Sequence, residues 1–173
     1  VLTMSNNQLK EIPLEIGNCL KLKTLEVKNN PALTVPPAYI GPTKTAEYLM
    51  KFGEARKGDR RLDLSNRKLT GFPPEVTWVG KILRVLDLSN NTSVGAIPYS
   101  ICELSALTAL AADNRSFVGN TVWAVPLPVC LHRVLRVIDL SNNTSVGAIP
   151  YSICELSALT ALAADDRLGV SKP

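Results

Sequence analysis

Apolar residues two positions apart recur along the chain, each pair opening a short segment that ends in polar residues. The pairs are Leu2 and Met4, Leu25 and Val27, Leu62 and Leu64, Leu86 and Leu88, Leu110 and Ala112, Ile138 and Leu140, and Leu162 and Ala164. Alternation of this kind sends every second side chain to one face, which is the period of a strand. Successive pairs begin 23, 37, 24, 24, 28 and 24 residues apart, so the pattern predicts a series of units, each one strand plus a return path. A strand this short cannot hide its apolar face alone, whereas parallel copies stacked at ~4.8 Å share one continuous core.

Residues 84–115 recur at 136–167, differing only at Leu86/Ile138 and Asn114/Asp166. The two blocks therefore predict equivalent environments for Leu86 and Ile138 and for Leu88 and Leu140. After each strand comes an apolar residue and proline: Ile12-Pro13, Val35-Pro36-Pro37, Phe72-Pro73-Pro74, Ile97-Pro98, Val125-Pro126 and Ile149-Pro150. Proline fixes φ and lacks a donor, which suits the start of an irregular return segment.

The segments LTMSNNQL (2–9), LDLSNRKL (62–69) and LRVLDLSNN (83–91) resemble the L-x-x-L-x-L-x-x-N-x-L signature of leucine-rich repeats. The resemblance covers nearly the whole chain. It implies an α/β solenoid with a parallel concave β-sheet and a convex wall of short helical, 3-10 or extended segments. It also implies a ladder of inward asparagines, Asn7, Asn30, Asn91 and Asn143, bonding backbone groups of their own and the neighbouring turn. Arg67, Arg115 and Arg167 stand where that pattern has Asn, so their turns need other partners, or the ladder shifts to Asn66 and Asn114. Two flavours are mixed: the units at Leu2 and Leu62 resemble intracellular signalling-type repeats, and LDLSNNTSVGAIPYSICELSAL resembles the plant-type repeat, with Ser93 and Ser145 in place of Leu.

The long step from Leu25 to Leu62 marks a break. Residues 30–52 resemble the ending of cytoplasmic leucine-rich repeat runs, where a helix leaves the stack. The chain thus divides into repeats over 1–40, a helical connector or cap over 41–60, and a second run of repeats over 61–173. Tyr48, Leu49, Phe52 and Ala55 lie at helical spacing and are expected to cover the apolar rim, with Lys44, Lys51, Arg56, Lys57, Arg60 and Arg61 solvated. The chain starts inside a repeat at Val1 and stops after one has begun, so it reads as a segment of a larger protein.

Composition sets further bounds. The 173 residues are 46% hydrophobic and only 5% aromatic, as when leucine and alanine fill a uniform interior. A net charge of +4, scattered outside the connector, does not make the dense patch that nucleic acid demands. No run approaches a membrane span, and no basic-then-apolar leader opens the chain. Cys102, Cys130 and Cys154 share one coil position, with Cys19 two places beyond it, which reads as packing and predicts free thiols. The sequons at Asn90, Asn91, Asn114, Asn142 and Asn143 point instead to a secretory compartment, although Asn91 and Asn143 are expected inward, where no sugar fits.

No residues converge on catalysis. The single histidine, His132, has no evident nucleophile beside it, and no phosphate-binding glycine loop occurs. The chain is therefore read as non-enzymatic, with no cofactor and no metal site. What remains is the concave face, whose outward residues form rows. Asp63, Asp87 and Asp139, continued by Glu26 and joined by Asp113, are the candidate partner-binding residues, an acidic array for a basic protein partner. The expected function is protein interaction by a monomeric segment of a cytoplasmic scaffold or signalling protein, with no nucleic acid and no membrane contact. Two alternatives stand beside it: part of the extracellular region of a leucine-rich repeat receptor, kinase-linked in one version, and a rigid spacer with no ligand.

Overall fold

The computed structural model describes residues 1–19, 21–34, 42–91, 98–112, 134–141 and 156–163. The chain divides into two compact units, Val1–Leu62 and Asp63–Pro173.

In the first unit, β1 (Leu2–Thr3) pairs in parallel with β2 (Leu25–Glu26), Leu2 against Leu25 and Thr3 against Glu26. Pro13 precedes a 3-10 turn at Leu14–Asn18, so the proline ends the extended path and starts the return. Helix α1 (Pro42–Lys57) then packs on that turn and reaches β2. Its apolar stripe is buried: Ala46, Tyr48, Leu49, Phe52 and Ala55 join Ile12 and Leu25. The Tyr48 and Phe52 rings meet edge to face at 5.3 Å. Lys44, Arg56, Lys57, Arg60 and Arg61 are exposed and Lys51 is part-exposed. Arg56 reaches Glu15 of the 3-10 turn at 3.3 Å, and Lys51 reaches Glu54 at 3.2 Å; both pairs are open to water and add little stability.

From the boundary of the two units onward five strands follow one another in space as in sequence: β3 (Arg61–Asp63), β4 (Val85–Asp87), β5 (Ala109–Ala111), β6 (Val137–Asp139) and β7 (Ala161–Ala163). From β4 to β7 the pairing is parallel, with Leu86, Leu110, Ile138 and Leu162 in one register row. Leu62, Leu64, Leu86, Leu88, Leu110, Ala112, Ile138 and Leu140 point inward and are at most 4% exposed. The duplicated blocks bury their equivalent residues alike, Leu86 and Leu88 at 0% and Ile138 and Leu140 at 2% and 4%. Leu2 and Leu162 remain 39% exposed. Among the described residues they sit in the outermost strands, where one flank of the side chain has no neighbour to pack against.

The return paths are tight. Pro73 and Pro98 precede 3-10 turns at Pro74–Val79 and Tyr99–Glu103, and Val76, Val79, Ile101, Leu104 and Leu107 close the core from that side. In the coils of β5 and β7 a threonine ties the coil to the one before it: Thr108 Oγ1 donates to Arg84 O at 3.1 Å and Thr160 Oγ1 to Arg136 O at 3.2 Å.

The cysteines depart from expectation. Cys19 is a free, exposed thiol, but Cys102 is disulfide-bonded, to a partner outside the described residues. Cys130 and Cys154 lie outside them too. The periodicity read as packing is also the condition for pairing. Equivalent positions of stacked coils stand about one strand spacing apart, roughly 5 Å, within the Cα separation that a disulfide bridges.

Candidate partner-binding face

The turn by which β4 leaves the sheet is built by two adjacent residues with opposite tasks, and the turn after β3 shares the first of them. The first, Asn66 or Asn90, takes a left-handed conformation with φ of 56°, as do Asn6 (60°) and Asn29 (56°) in the first unit. Asparagine tolerates that region better than other side chains with a Cβ. The second residue points inward. Asn91 is fully buried; its Nδ2 donates to Leu64 O (2.9 Å) and Leu88 O (2.8 Å), while its Oδ1 accepts from Arg67 N (2.9 Å) and Leu69 N (3.1 Å). Asn30 repeats the pattern with Met4 O, Val27 O and Leu9 N.

The ladder thus reaches backward, each asparagine satisfying the coil before its own. Arg67 stands in the first coil of the second unit and its amide is served by Asn91 from the next coil, so an asparagine there has no earlier coil of that unit to hold. Asn7 holds the matching place in the first unit. It is exposed and bonds only its own turn, through Met4 O and Ser5 O. Asn143 lies outside the described residues.

Sheet register arranges the outward side chains. One column runs Val85, Ala109, Val137, Ala161; the next runs Asp87, Ala111, Asp139, Ala163. Leu64 N donates to Asp87 O as Leu88 N donates to Ala111 O, which sets Asp63 beside Asp87. Ala111 therefore separates Asp87 from Asp139, leaving the two carboxylates about 10 Å apart at two strand spacings. Of the other candidates, Asp113 lies outside the described residues, and Glu26 belongs to the two-stranded sheet of the first unit, where it accepts a 3.4 Å bond from Thr3 Oγ1.

These carboxylates also shape the turns. Asp63 Oδ1 accepts from Ser65 N (3.0 Å) and Ser65 Oγ (2.7 Å), Asp139 Oδ1 accepts from Ser141 N (3.0 Å) and Ser141 Oγ (2.7 Å), and Asp87 Oδ1 accepts from Ser89 N (3.1 Å). The D-x-S spacing is an Asx turn, in which the aspartate bonds backbone two residues on. The repeated L-D-L-S-N carries both the column and this local use, since an aspartate there can bond its own turn. Val137 is 40% exposed beside Asp139, so the face joins acidic and apolar rows. His132 lies outside the described residues. Among those described, no three of His, Cys, Asp and Glu stand where they could hold a metal ion, and no helix is long and apolar enough to cross a membrane.

Residues 83–104 and 134–156 match the family model for the Leucine Rich Repeat. Together with the parallel stack and the backward-reaching asparagines, that match decides the family. The chain is a leucine-rich repeat protein. It is similar to Receptor-like protein 53 of Arabidopsis thaliana, 36% identical over 97 residues that make up 56% of this chain and 10% of that protein. Receptor-like protein 7 of the same plant is 37% identical over 102 residues, 58% of this chain and 10% of the relative. Plant intracellular Ras-group-related LRR protein 8 of Oryza sativa subsp. japonica is 35% identical over 100 residues, 57% of this chain and 25% of the relative. The chain spans only a small part of the length of these proteins. Leucine-rich repeats are suited to protein–protein interaction, since adjacent strands set out side chains in rows across several units.

Proposed function

We propose that this chain is a non-catalytic protein-binding segment of the extracellular part of a receptor-type leucine-rich repeat protein. Its binding surface is the open face of the second unit. The observation that carries the binding reading is the register that lays Asp63, Asp87 and Asp139 alongside Val85, Ala109, Val137 and Ala161. A partner suited to it is an extended or flat protein surface with cationic side chains next to apolar ones, because complementary charge supplies specificity and on-rate while apolar contact supplies affinity. Two findings support the extracellular side: the similarity to Arabidopsis receptor-like proteins, and the disulfide at Cys102, a bond favoured in oxidising compartments.

The second reading, a cytoplasmic scaffold segment, is favoured by the similarity to the rice intracellular protein and by the basic helix α1. A peptide array carrying cationic–apolar, anionic–apolar and neutral sequences, probed with the chain and with an Asp87→Asn/Asp139→Asn variant, tests the face. Retention of the cationic set and its loss in the variant are expected. Equal retention of all three sets would remove the face from consideration.

A further inference from the structure

The repeated S-N-N-T-S sequence contains two overlapping acceptor sequons, Asn90-Asn91-Thr92 and Asn91-Thr92-Ser93, and the fold separates them. Asn91 is 0% exposed, and its amide nitrogen, with two hydrogens, serves Leu64 O (2.9 Å), Leu88 O (2.8 Å) and, more loosely, Ser89 O (3.4 Å). A sugar there would replace one of those hydrogens and has no volume to occupy. Asn90 precedes it in the left-handed turn and is part-exposed.

The other left-handed asparagines carry no such signal. Asn6-Asn7-Gln8, Asn29-Asn30-Pro31 and Asn66-Arg67-Lys68 all lack the hydroxyl two residues on. Asn90 is thus the one left-handed turn asparagine among the described residues at which a sequon and a part-exposed residue coincide.

We infer that Asn90 is an N-glycosylation site and that Asn91, although it carries a sequon, is excluded by its place in the ladder. The ligand class is an oligosaccharide delivered on a polyprenyl pyrophosphate. In the transfer the Asn90 side-chain nitrogen forms a C–N bond to the anomeric carbon, and the bond from that carbon to the pyrophosphate oxygen breaks. Polyprenyl pyrophosphate leaves, and the proton lost from the amide goes to a base; nothing is oxidised or reduced. A glycan at this turn stands at the edge of the sheet's open face beside β4, where it limits how a partner approaches Asp87.

The inference rests on the extracellular reading, and its test imposes entry into the secretory pathway with a heterologous leader, so that the two can fail separately. Two variants split the sequons without touching either asparagine: Thr92→Ala abolishes that of Asn90 alone, and Ser93→Ala that of Asn91 alone. The folded, secreted chain is deglycosylated enzymatically in heavy-oxygen water and the label is placed by fragment-ion mass spectrometry. Fragments ending at Asn114 or at Asp166 distinguish the two copies of the block. Label at Asn90 is expected in the unaltered chain and in Ser93→Ala, and none at either position in Thr92→Ala. A bare Asn90, in secreted or retained chain, would overturn the assignment and leave the extracellular reading standing. Label at Asn91 in folded, secreted protein would overturn it as well.

Discussion

Gly17 and Gly53 meet backbone to backbone, with no room for a side chain at either position. A Cβ on Gly17 would lie 2.2 Å from Leu49 O, and one on Gly53 would lie 2.8 Å from Gly17 O. The obstructing atoms are backbone, so neither helix α1 nor the 3-10 turn could yield by turning a side chain. Gly17→Ala or Gly53→Ala should destabilise the first unit by about 1–3 kcal/mol, the usual range for overpacking. Denaturant titration followed at the near-ultraviolet signal of Tyr48 reads the effect. Because both variants force the same separation, their costs should add to less than the sum.

Asn91→Ala should cost several times what Asn7→Ala costs. The first leaves two carbonyls and two amides without their buried partner, each worth about 1–3 kcal/mol when orphaned, while the second frees an exposed turn. Thermal unfolding of the two variants side by side checks the contrast, and equal losses would remove the ladder as a stabilising device.

Leu88→Ala and Leu140→Ala should each lose about 2–5 kcal/mol by leaving a cavity in a packed interior. The residues are 0% and 4% exposed in equivalent coils, so similar values are expected. A loss confined to one of them, read by chemical denaturation, would show that the duplicated blocks are not energetically equivalent.

Alkylation of the native chain without reductant should label Cys19 and spare Cys102, which becomes reactive only after reduction. Reduction should also lower stability by about 2–4 kcal/mol, the common range for a disulfide. Peptide mapping identifies the partner thiol.

Asp87→Asn with Asp139→Asn should slow association with a cationic peptide and flatten its salt dependence, since long-range attraction acts mainly on encounter. Asparagine keeps the oxygen that accepts from Ser89 and Ser141, so unfolding should shift little. Charge reversal to lysine removes those acceptors as well and should cost about 0.5–1.5 kcal/mol for each bond lost. Stopped-flow association beside thermal melts separates the two effects.

The inward leucines were legible in the sequence because a period of two is enforced wherever one strand face is buried, and a slip of one residue would expose the whole set. Proline marked the return paths for a comparable reason, its ring acting locally. The direction in which Asn91 reaches was not legible, since it depends on which coil offers unsatisfied groups. The close approach of Gly17 to Gly53 joins positions 36 residues apart with no periodic signal. In the candidate face, Asp63, Asp87 and Asp139 could be read, as could their capacity to bond local turns, but the interruption at Ala111 depends on strand register.

The backward reach of the asparagines gives the stack a grain, like overlapping tiles. Asn30 and Asn91 each hold the clasp of the coil before their own, so those earlier coils depend on the one that follows. Removing a coil from the trailing end therefore unfastens its predecessor, whereas removing one from the leading end strands only an asparagine side chain. Where an asparagine clasps a pair of coils, fraying should spread more readily from the trailing end, and a coil transplanted ahead of Asn30 or Asn91 finds its turn already provided with a partner.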